Sequence, residues 1–521
     1  MAVYRFSGGD ALARAVEKLY ENGGSEYHFE PMNLIDENGG AVGLVKPGDG
    51  VIFCCRRGER ETELTDAFTD PDFKGFERQK LDPLDFVILT MYSERYTYLP
   101  IAFAPSKVEK TLAEVLSAHG KTQLHLSESE KFAHVTFFFN GGNQIPFDGE
   151  DDIRIPSPKG VPFETVPQLK LPEVAETLCS GIDKGYDFIV TNFANGDVIG
   201  HTSSDTAKPI ACKEISRYIG MVVSYARVRG YTVLVTADHG NIEILHTPEG
   251  KPHVSHTTNL VACVALGNGV EQLKTDGRLC DVAPTVLSAM GIEQPAEMTG
   301  SPLFRFGNAS KVLLLICDGW GLDRPTENNP IYTASTPEWD MLLNNYPYAK
   351  LEASGPAVGL KEGKTGNSEA GHINLGSGRV VLQDDVRLDN AMKDGSFAEN
   401  PVFLNTLRGV KERGTALHLF ALLTKKSSHG SIDYPLALLD MAKAEGVKDV
   451  YVHVIFDGRS TEPGSAPGLL REFGETMQQK GVGLIVSGVG RGVALDRDQN
   501  WAKIQRTYAS LVEGKGAPYC E

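Results

Sequence analysis

Short apolar runs recur along the 521-residue chain, and each is followed by a glycine-rich turn and then by a stretch with helical spacing. Runs of this kind, bounded by Gly and Asp, are typical of strands buried on both faces of a parallel sheet. Their alternation with helical segments predicts an α/β fold. The eight clearest runs are PLDFVILTMY, YDFIVTNF, YTVLVTADHG, LVACVALGNG, KVLLLICDGWG, ALHLFALLTK, VYVHVIFDGR and VGLIVSGVGRG.

Two of the intervening helices carry clear start and stop signals. In SKVEKTLAEVLSAHG, Ser106 and Glu109 have the spacing of a capping box, which predicts a helix that begins at Ser106 and ends at Gly120. In DALARAVEKLYENGG, one apolar face ends before Gly23 and is formed by Leu12, Val16, Leu19 and Tyr20.

The charge balance excludes some partners. Lys and Arg number 51 against 68 Asp and Glu, so the net charge is −17, which repels nucleic acids and anionic membranes. No run approaches the roughly 20 apolar residues of a membrane span, and the first residues lack a secretion signal. The eight cysteines are scattered, as is usual for free thiols. We expect a soluble cytoplasmic protein without nucleic-acid or membrane partners, in which Cys317 is a buried thiol rather than a nucleophile.

Polar residues of the kinds that bind metals follow three of the apolar runs. The carboxyl ends of strands in an open α/β sheet share one edge, so these residues can converge on one site. A single Asp at a strand end is as often a helix cap or turn residue, and the metal interpretation depends on several such segments meeting. Aspartate and histidine without thiolates suit Mn²⁺, Zn²⁺ or Mg²⁺. The candidates are Asp197, His201, Asp238, His239 and Asp318, to which PHVSHTTN adds His253 and His256.

Ser368, in KTGNSEAGHINLGSGR, is a candidate nucleophile. The glycine-rich approach predicts a helix that begins at Ser368, where free backbone N–H groups can receive a phosphate. Taken alone, Ser368 is more often only a helix cap. A serine hydroxyl needs a base or a metal to become a good nucleophile, and the metal candidates could supply one. His372 could orient Ser368, although a packed structural histidine is the commoner case.

Several cations lie in glycine-rich loops of this acidic chain. Arginine binds carboxylate and phosphate through two parallel hydrogen bonds, so the set suggests a small substrate with several negative charges. Each cation alone is more often part of a surface ion pair. The candidates are Arg57, Arg60, Lys131, His429, Arg459, Arg491 and Arg497.

Together these motifs resemble the cofactor-independent phosphoglycerate mutases, within the alkaline phosphatase superfamily. Their order differs from the family's, because 311 to about 515 resemble the family's N-terminal part and 1 to about 305 its C-terminal part. The resemblance therefore implies a circular permutation with a short joint at 303–311, which the fold should tolerate. The matching stretches are ICDGWG, TGNSEAGHINLGSGR, SHGSID, DGRST, GVGRGVALDRD, FCCRRGERE, SESEKFAHVTFFFNGG, NGDVIGHT, TADHGN and HVSHTTN.

The resemblance implies two three-layer α/β domains. A phosphatase-like domain, 107–382, would hold the metals and the serine, and a domain made of 1–106 and 383–521 would grip the substrate. Two divalent ions are implied, Mn²⁺ first, with Mg²⁺, Co²⁺ or Zn²⁺ as alternatives. One ion would be bound by Asp197, His201 and His256, and the other by Asp318, Ser368, Asp238 and His239.

The implied reaction is the glycolytic interconversion of 3-phosphoglycerate and 2-phosphoglycerate through a phosphoserine at Ser368, in a monomer. Lys131 would stabilise the charge on the phosphoryl oxygens. The substrate would be bound by His429, Arg459, Arg491, Arg497, Arg57 and Arg60.

Two stretches depart from the family pattern. Ser460 stands where the family has an aspartate thought to transfer protons, and Lys426, Ser427 and Ser428 replace a Gly-Gly-Val. Asp457 or Glu462 could supply the missing carboxylate. A metal-dependent phosphomonoesterase, or a mutase of another small phosphate or phosphonate, is therefore the alternative function. A metal-binding scaffold without turnover is a third, which the complete set of candidate ligands argues against.

Overall fold

The computed structural model describes residues 6–56, 60–105, 108–425, 427 and 429–521. Arg57, Ser106, Lys426 and Ser428 lie outside these residues. Among the helices of the described chain, none combines the length and the apolar character needed to cross a membrane.

The chain forms two compact units. Unit 1 comprises Met1–Pro105 and Arg387–Glu521, and unit 2 comprises Ser106–Val386. Each contains one eight-stranded sheet that is mostly parallel and is covered by helices. The predicted α/β fold is confirmed.

Eighteen strands and sixteen α-helices occur in the described chain. The strands β1 to β18 are Met32–Leu34, Gly50–Phe53, Asp85–Thr90, Ile101–Phe103, Gln123–Glu128, Glu150–Ile155, Phe188–Phe193, Thr232–Thr236, Val261–Leu266, Glu271–Gln272, Asp276–Arg278, Phe304–Arg305, Val312–Cys317, Tyr348–Glu352, Leu417–Leu423, Val450–Phe456, Leu484–Gly490 and Ala517–Tyr519. The helices α1 to α16 are Gly9–Glu21, Thr62–Thr69, Leu112–Ala118, Leu171–Lys184, Asn195–Gly200, Ala207–Val228, Val282–Met290, Pro330–Thr333, Pro337–Asn345, Ser368–Ser377, Asp384–Asp394, Pro401–Arg413, Asp433–Glu445, Ala466–Lys480, Arg491–Ala494 and Trp501–Glu513.

The sheet of unit 1 has the strand order β18-β1-β17-β16-β15-β2-β3-β4. Its central strands are parallel, whereas β1 runs antiparallel to β17. Apolar residues of α1, α12, α13 and α14 contribute to one core cluster, and residues of α2 and α16 contribute to another. Two separate cores fit a three-layer arrangement, with helices on both faces of the sheet.

The sheet of unit 2 has the order β11-β14-β9-β8-β13-β7-β5-β6. The strands β8, β13, β7, β5 and β6 are parallel to their neighbours, and β9 is antiparallel to both β8 and β14. The prediction that LVACVALGNG forms a parallel strand is therefore wrong. Burial on both faces makes a strand wholly apolar, and that pattern does not depend on strand direction.

All eight apolar runs form strands, and α1 forms as predicted. The start predicted for the other helix is wrong, because α3 begins at Leu112 and is capped by Thr111, whose side chain accepts a hydrogen bond from the N–H of Glu114 at 3.4 Å. The segment 303–311 is not an unstructured connection, since it contains β12, which pairs antiparallel with β10.

Candidate metal and phosphate site

Three neighbouring parallel strands of unit 2 deliver acidic residues to one edge of the sheet. Asp318 directly follows β13, Asp238 lies two residues after β8, and Asp197 lies in α5, which follows β7. All three carboxylates are buried. The predicted convergence of these strand ends is thus present in the structure.

Glycines allow these segments to approach closely. A Cβ at Gly196 would lie 2.3 Å from the carbonyl oxygen of Asp318, and a Cβ at Gly371 would lie 2.7 Å from the Cβ of Asp238. Gly319 has a φ of +69°, and its Cβ would lie 2.8 Å from the backbone of Asp197. A side chain at any of these positions would force the acidic segments apart.

Ser368 begins α10, as predicted. The cap of this helix is Asn367, whose side chain accepts from the N–H of Ala370 at 2.8 Å, so the alternative that Ser368 is only the cap is wrong. The Oγ of Ser368 accepts from Lys131 Nζ at 2.6 Å and donates to Asp318 Oδ1 at 3.2 Å. The serine hydroxyl is therefore held between a cation and a carboxylate.

Three histidines present one ring nitrogen each to this cluster. Their Nδ1 atoms lie against backbone carbonyls, at 2.9 Å for His201, 3.2 Å for His239 and 2.8 Å for His256. Donation from Nδ1 leaves the Nε2 lone pair free to bind a metal, which is the usual orientation of metal-binding histidines.

The Nε2 atoms meet the acidic residues and one another. Those of His201 and His256 lie 3.2 and 3.0 Å from Asp197 Oδ1 and 3.0 Å apart. The Nε2 of His239 lies 3.0 Å from Ser368 Oγ. Lone pairs this close repel each other unless a cation or a proton lies between them, so the donor set fits a metal.

The charges of the cluster are unbalanced. Asp197, Asp238 and Asp318 supply three negative charges and Lys131 one positive charge, so 1 − 3 leaves −2. Lys131 Nζ contacts Asp197 Oδ2 at 2.6 Å and Asp318 Oδ1 at 2.9 Å. Burial lowers the pKa of Lys131, but the charges of the three aspartates outweigh it and raise the pKa above its usual value. Lys131 is held as a cation.

The aspartates respond differently to their surroundings. Burial would raise the pKa of Asp197, but the charge of Lys131 and hydrogen bonds from His201 and His256 hold it well below its usual range. Burial and the charge of Asp238 raise the pKa of Asp318. Oδ2 of Asp238 is buried without a hydrogen-bond partner. An uncompensated carboxylate oxygen of this kind also fits a bound cation.

Ligand atoms of Asp197, His239 and His256 lie within 4.8 Å of one another, as do those of Asp238, Asp318 and His372. This grouping brings His239 towards the first predicted metal set and adds His372 to the second. His253 belongs to neither group within the described residues.

His372 does not contact the hydroxyl of Ser368. Its Nδ1 lies 2.9 Å from the backbone carbonyl of Ser368, and its Nε2 lies 3.1 Å from the side-chain amide of Asn192. Two asparagines that the sequence analysis missed donate to the carboxylates: Asn192 to Asp318 Oδ2 at 2.6 Å and Asn241 to Asp197 Oδ1 at 2.8 Å. Their positions after or within site strands are the only sequence signal for them. Cys317 is buried, and burial raises its pKa, as expected of an inert core thiol.

The remaining predicted cations lie in unit 1. Arg491 is buried and donates from Nη1 to Asp457 Oδ1 at 2.6 Å. Arg60 is also buried, and its Nη1 lies 3.3 Å from the carbonyl oxygen of Leu495. Arg459 and Arg497 are exposed, and His429 is half-buried. Arg57 lies outside the described residues.

The carboxylates considered as substitutes at position 460 differ in environment. Ser460 is exposed, and its Oγ lies 3.4 Å from the Oγ of Ser427. Glu462 is exposed, whereas Asp457 is buried against Arg491. The sequence analysis missed another buried carboxyl group, that of Glu61, which directly follows Arg60.

Comparison with known proteins gives two family matches. The family described as the metalloenzyme superfamily matches residues 18–294, and the BPG-independent PGAM N-terminus family matches residues 388–520. The 2,3-bisphosphoglycerate-independent phosphoglycerate mutase of Salinibacter ruber is 41% identical over 299 residues, which cover 56% of this chain and 57% of that protein. The enzyme of the same name from Moorella thermoacetica is 42% identical over 294 residues, covering 56% of each chain.

The chain thus spans about half the length of the curated relatives it matches. A crystal structure of Leishmania mexicana phosphoglycerate mutase at low cobalt concentration is 26% identical over 52% of this chain and 53% of that one, with a TM-score of 0.40. Since the metalloenzyme match covers more than half of the chain and contains five of the candidate metal ligands, the protein belongs to the metalloenzyme superfamily.

Proposed function

We propose that this protein is a 2,3-bisphosphoglycerate-independent phosphoglycerate mutase, which interconverts 3-phosphoglycerate and 2-phosphoglycerate through a phosphoserine at Ser368. The names of its relatives support this activity. The observation that carries the proposal is the position of Ser368 Oγ, within 3.2 Å of Lys131 Nζ, His239 Nε2 and Asp318 Oδ1.

Ser368 is placed to exchange a phosphoryl group. Its hydroxyl donates to Asp318, which directs the oxygen lone pairs towards Lys131 and the open end of α10. Lys131 offsets the charge that develops on the phosphoryl oxygens, and the backbone N–H groups of the first helical turn face the same anion. Release of the phosphate to the other hydroxyl of the retained substrate regenerates Ser368.

Two divalent ions, with Mn²⁺ as the expected metal, would be held by the predicted sets. These are Asp197, His201 and His256 for one ion and Asp318, Ser368, Asp238 and His239 for the other. When bound, such ions act as Lewis acids that make a serine hydroxyl more nucleophilic and stabilise phosphoryl charge. Asn192 and Asn241 fix the orientation of the carboxylates.

The cations of unit 1 would bind the anionic substrate. Arg491 and Arg60 are buried, so their attraction for a carboxylate is little screened by water. We assign the same role to His429, Arg459, Arg497 and Arg57. In this proposal the domain 107–382 carries the metals and the serine, and 1–106 with 383–521 carries the substrate-binding residues.

The order of the matched segments supports a circular permutation. The family that describes a mutase N-terminal region matches 388–520, near the C-terminal end of this chain, and the metalloenzyme match begins at 18. We propose 303–311 as the joint between the family's original termini. Its β12 pairs with β10, so the joint is held within unit 2.

A phosphomonoesterase is the second candidate, and Ser460 favours it. Without a carboxylate at this position, return of the phosphate to substrate would be slower than hydrolysis of the phosphoserine. Free phosphate accumulating from 3-phosphoglycerate would identify the hydrolase, whereas 2-phosphoglycerate would identify the mutase.

The deciding experiment is a coupled assay for 2-phosphoglycerate without added bisphosphoglycerate, after chelation and after Mn²⁺ is restored. Chelation should abolish the activity and Mn²⁺ should return it. Ser368→Ala should abolish it with the metal present. Ser377→Ala, at the other end of α10, is the matched control and should stay active.

Mass spectrometry of protein quenched during turnover should find phosphate on Ser368. A fully active Ser368→Ala protein, or a phosphohistidine in place of phosphoserine, would exclude the proposed intermediate.

A further inference from the structure

Arg491 presents an unused pair of donors inside unit 1. Its side chain is 1% exposed, and only Nη1 is paired, with Asp457. Nε and Nη2 have no hydrogen-bond partner in the described structure. These two nitrogens form the planar fork that binds a carboxylate through two parallel hydrogen bonds. The geometry therefore indicates a planar anionic ligand.

Glu61 is a second buried group without a side-chain partner. It is fully buried, and neither carboxyl oxygen meets a side-chain donor. Burial raises the pKa of Glu61 to about 8, although nearby backbone N–H groups and the charges of Arg491 and Arg60 lower it. At neutral pH most of Glu61 is therefore an uncharged acid that can donate a hydrogen bond.

The groups around Glu61 define the charge that the site can accept. Arg491 and Arg60 face it with two positive charges, and Asp457 offsets one of them. Cys55 and Tyr92 lie close enough to interact with Glu61, and burial raises the pKa of both, so they stay uncharged. The sum 2 − 1 leaves +1, which one carboxylate ligand neutralises. An ionised Glu61 would leave the buried site at −1 with that ligand bound, which is unfavourable.

We propose that Glu61 is an uncharged hydrogen-bond donor to the carboxylate that Arg491 binds, and that its ionisation expels this ligand. The inference rests on the proposed function, in which Arg491 binds the substrate carboxylate. Glu61 acts on substrate affinity and not on the phosphoryl group, so its effect is on KM rather than on kcat.

The test is the pH dependence of 3-phosphoglycerate binding, measured by calorimetry in Ser368→Ala protein loaded with Mn²⁺. The Kd should rise about tenfold per pH unit above pH 8, because binding then requires uptake of one proton. Calorimetry in two buffers of different ionisation enthalpy should detect that proton. In the same background, Glu61→Gln keeps a donor but cannot ionise, so its Kd should match at pH 7.5 and stay constant to pH 9.5.

Glu462→Gln is the matched control, because Glu462 is an exposed carboxylate of the same unit, and it should keep the alkaline rise in Kd. The same rise in Glu61→Gln would overturn the proposal, and so would a loss of affinity above tenfold at pH 7.5.

A second measurement does not require the Glu61→Gln protein to bind ligand. The infrared carbonyl band of a protonated carboxylic acid should be present in the full-length protein at pH 7, weaken by pH 9.5 and be lost in Glu61→Gln. Its absence at pH 7 would overturn the proposal. Failure of the proposed mutase function would appear separately, as no 2-phosphoglycerate in the coupled assay of the unmodified protein.

Discussion

Replacing Lys131 by Met is the perturbation that best separates charge from structure in the site. Lys131 is the cation that touches Asp197, Asp318 and Ser368 together, at 2.6, 2.9 and 2.6 Å. Methionine approximates its length and removes only the ammonium group. The variant therefore changes the charge of the acidic cluster from −2 to −3.

The expected effects have opposite signs. Loss of a donor aimed at a developing oxyanion typically lowers the rate about 100- to 1000-fold. Two unit charges about 4 Å apart interact by about 4 kcal/mol at an effective dielectric constant of 20. Lys131 repels any cation bound by the same carboxylates, so we expect Mn²⁺ to bind at least about tenfold more tightly in Lys131→Met. The metal-free variant should be less stable by about 3–5 kcal/mol, because buried charges lose their partner.

Three measurements check these effects: Mn²⁺ calorimetry, the coupled assay, and thermal unfolding with and without Mn²⁺. We expect the destabilisation without metal to disappear when Mn²⁺ is bound. Lys170→Met is the control, because Lys170 is a partly exposed lysine of unit 2 whose partner is Glu173. Weaker Mn²⁺ binding in Lys131→Met would refute the argument, since Lys131 would then build the site rather than offset its charge.

Two further predictions concern stability and metal binding. Burial lowers the pKa of His418 and His453, which form a hydrogen-bonded pair at 2.9 Å, so the unfolded chain binds protons more strongly below its own pKa of about 6.5. The stability of unit 1 should therefore be full above pH 6.5 and fall below it by up to about 1.4 kcal/mol per pH unit for each histidine; unchanged amide-exchange protection of β15 and β16 between pH 7 and 5.5 would contradict this. Gly371→Ala should weaken Mn²⁺ binding by at least about tenfold in calorimetry, because its Cβ would lie 2.7 Å from that of Asp238; unchanged affinity would show that α10 can move without cost.

Much of the fold was predictable because buried strands leave a strong local signal. All eight apolar runs form strands, and the acidic residues after β7, β8 and β13 meet because parallel strands end at one edge. Strand direction was less accessible. The antiparallel β9 is as apolar as its parallel neighbours, because both kinds of strand are buried on two faces here.

The errors arose where two local signals competed or where distant segments decide. Ser106 and Thr111 are each followed by Glu three residues later, and the structure uses Thr111 as the cap of α3. Asn192 and Asn241 donate to carboxylates that lie 126 and 44 residues away in the chain. No local pattern marks such partners, because they depend on which strands become neighbours.

Asp238 shows why metal binding and folding should be coupled in this site. Its Oδ1 accepts from the backbone N–H groups of His239 and Gly319, at 3.0 and 3.3 Å. The nearest ring nitrogen to Oδ2 is Nδ1 of His372, at 3.3 Å, but that nitrogen lies closer to the carbonyl oxygen of Ser368, at 2.9 Å. The amide of Asn192 lies against the other nitrogen of the ring, which is consistent with a proton on Nδ1 that is given to the carbonyl. Oδ2 is then a buried anionic oxygen without a donor, and a cation bound there removes a penalty that the folded chain otherwise bears.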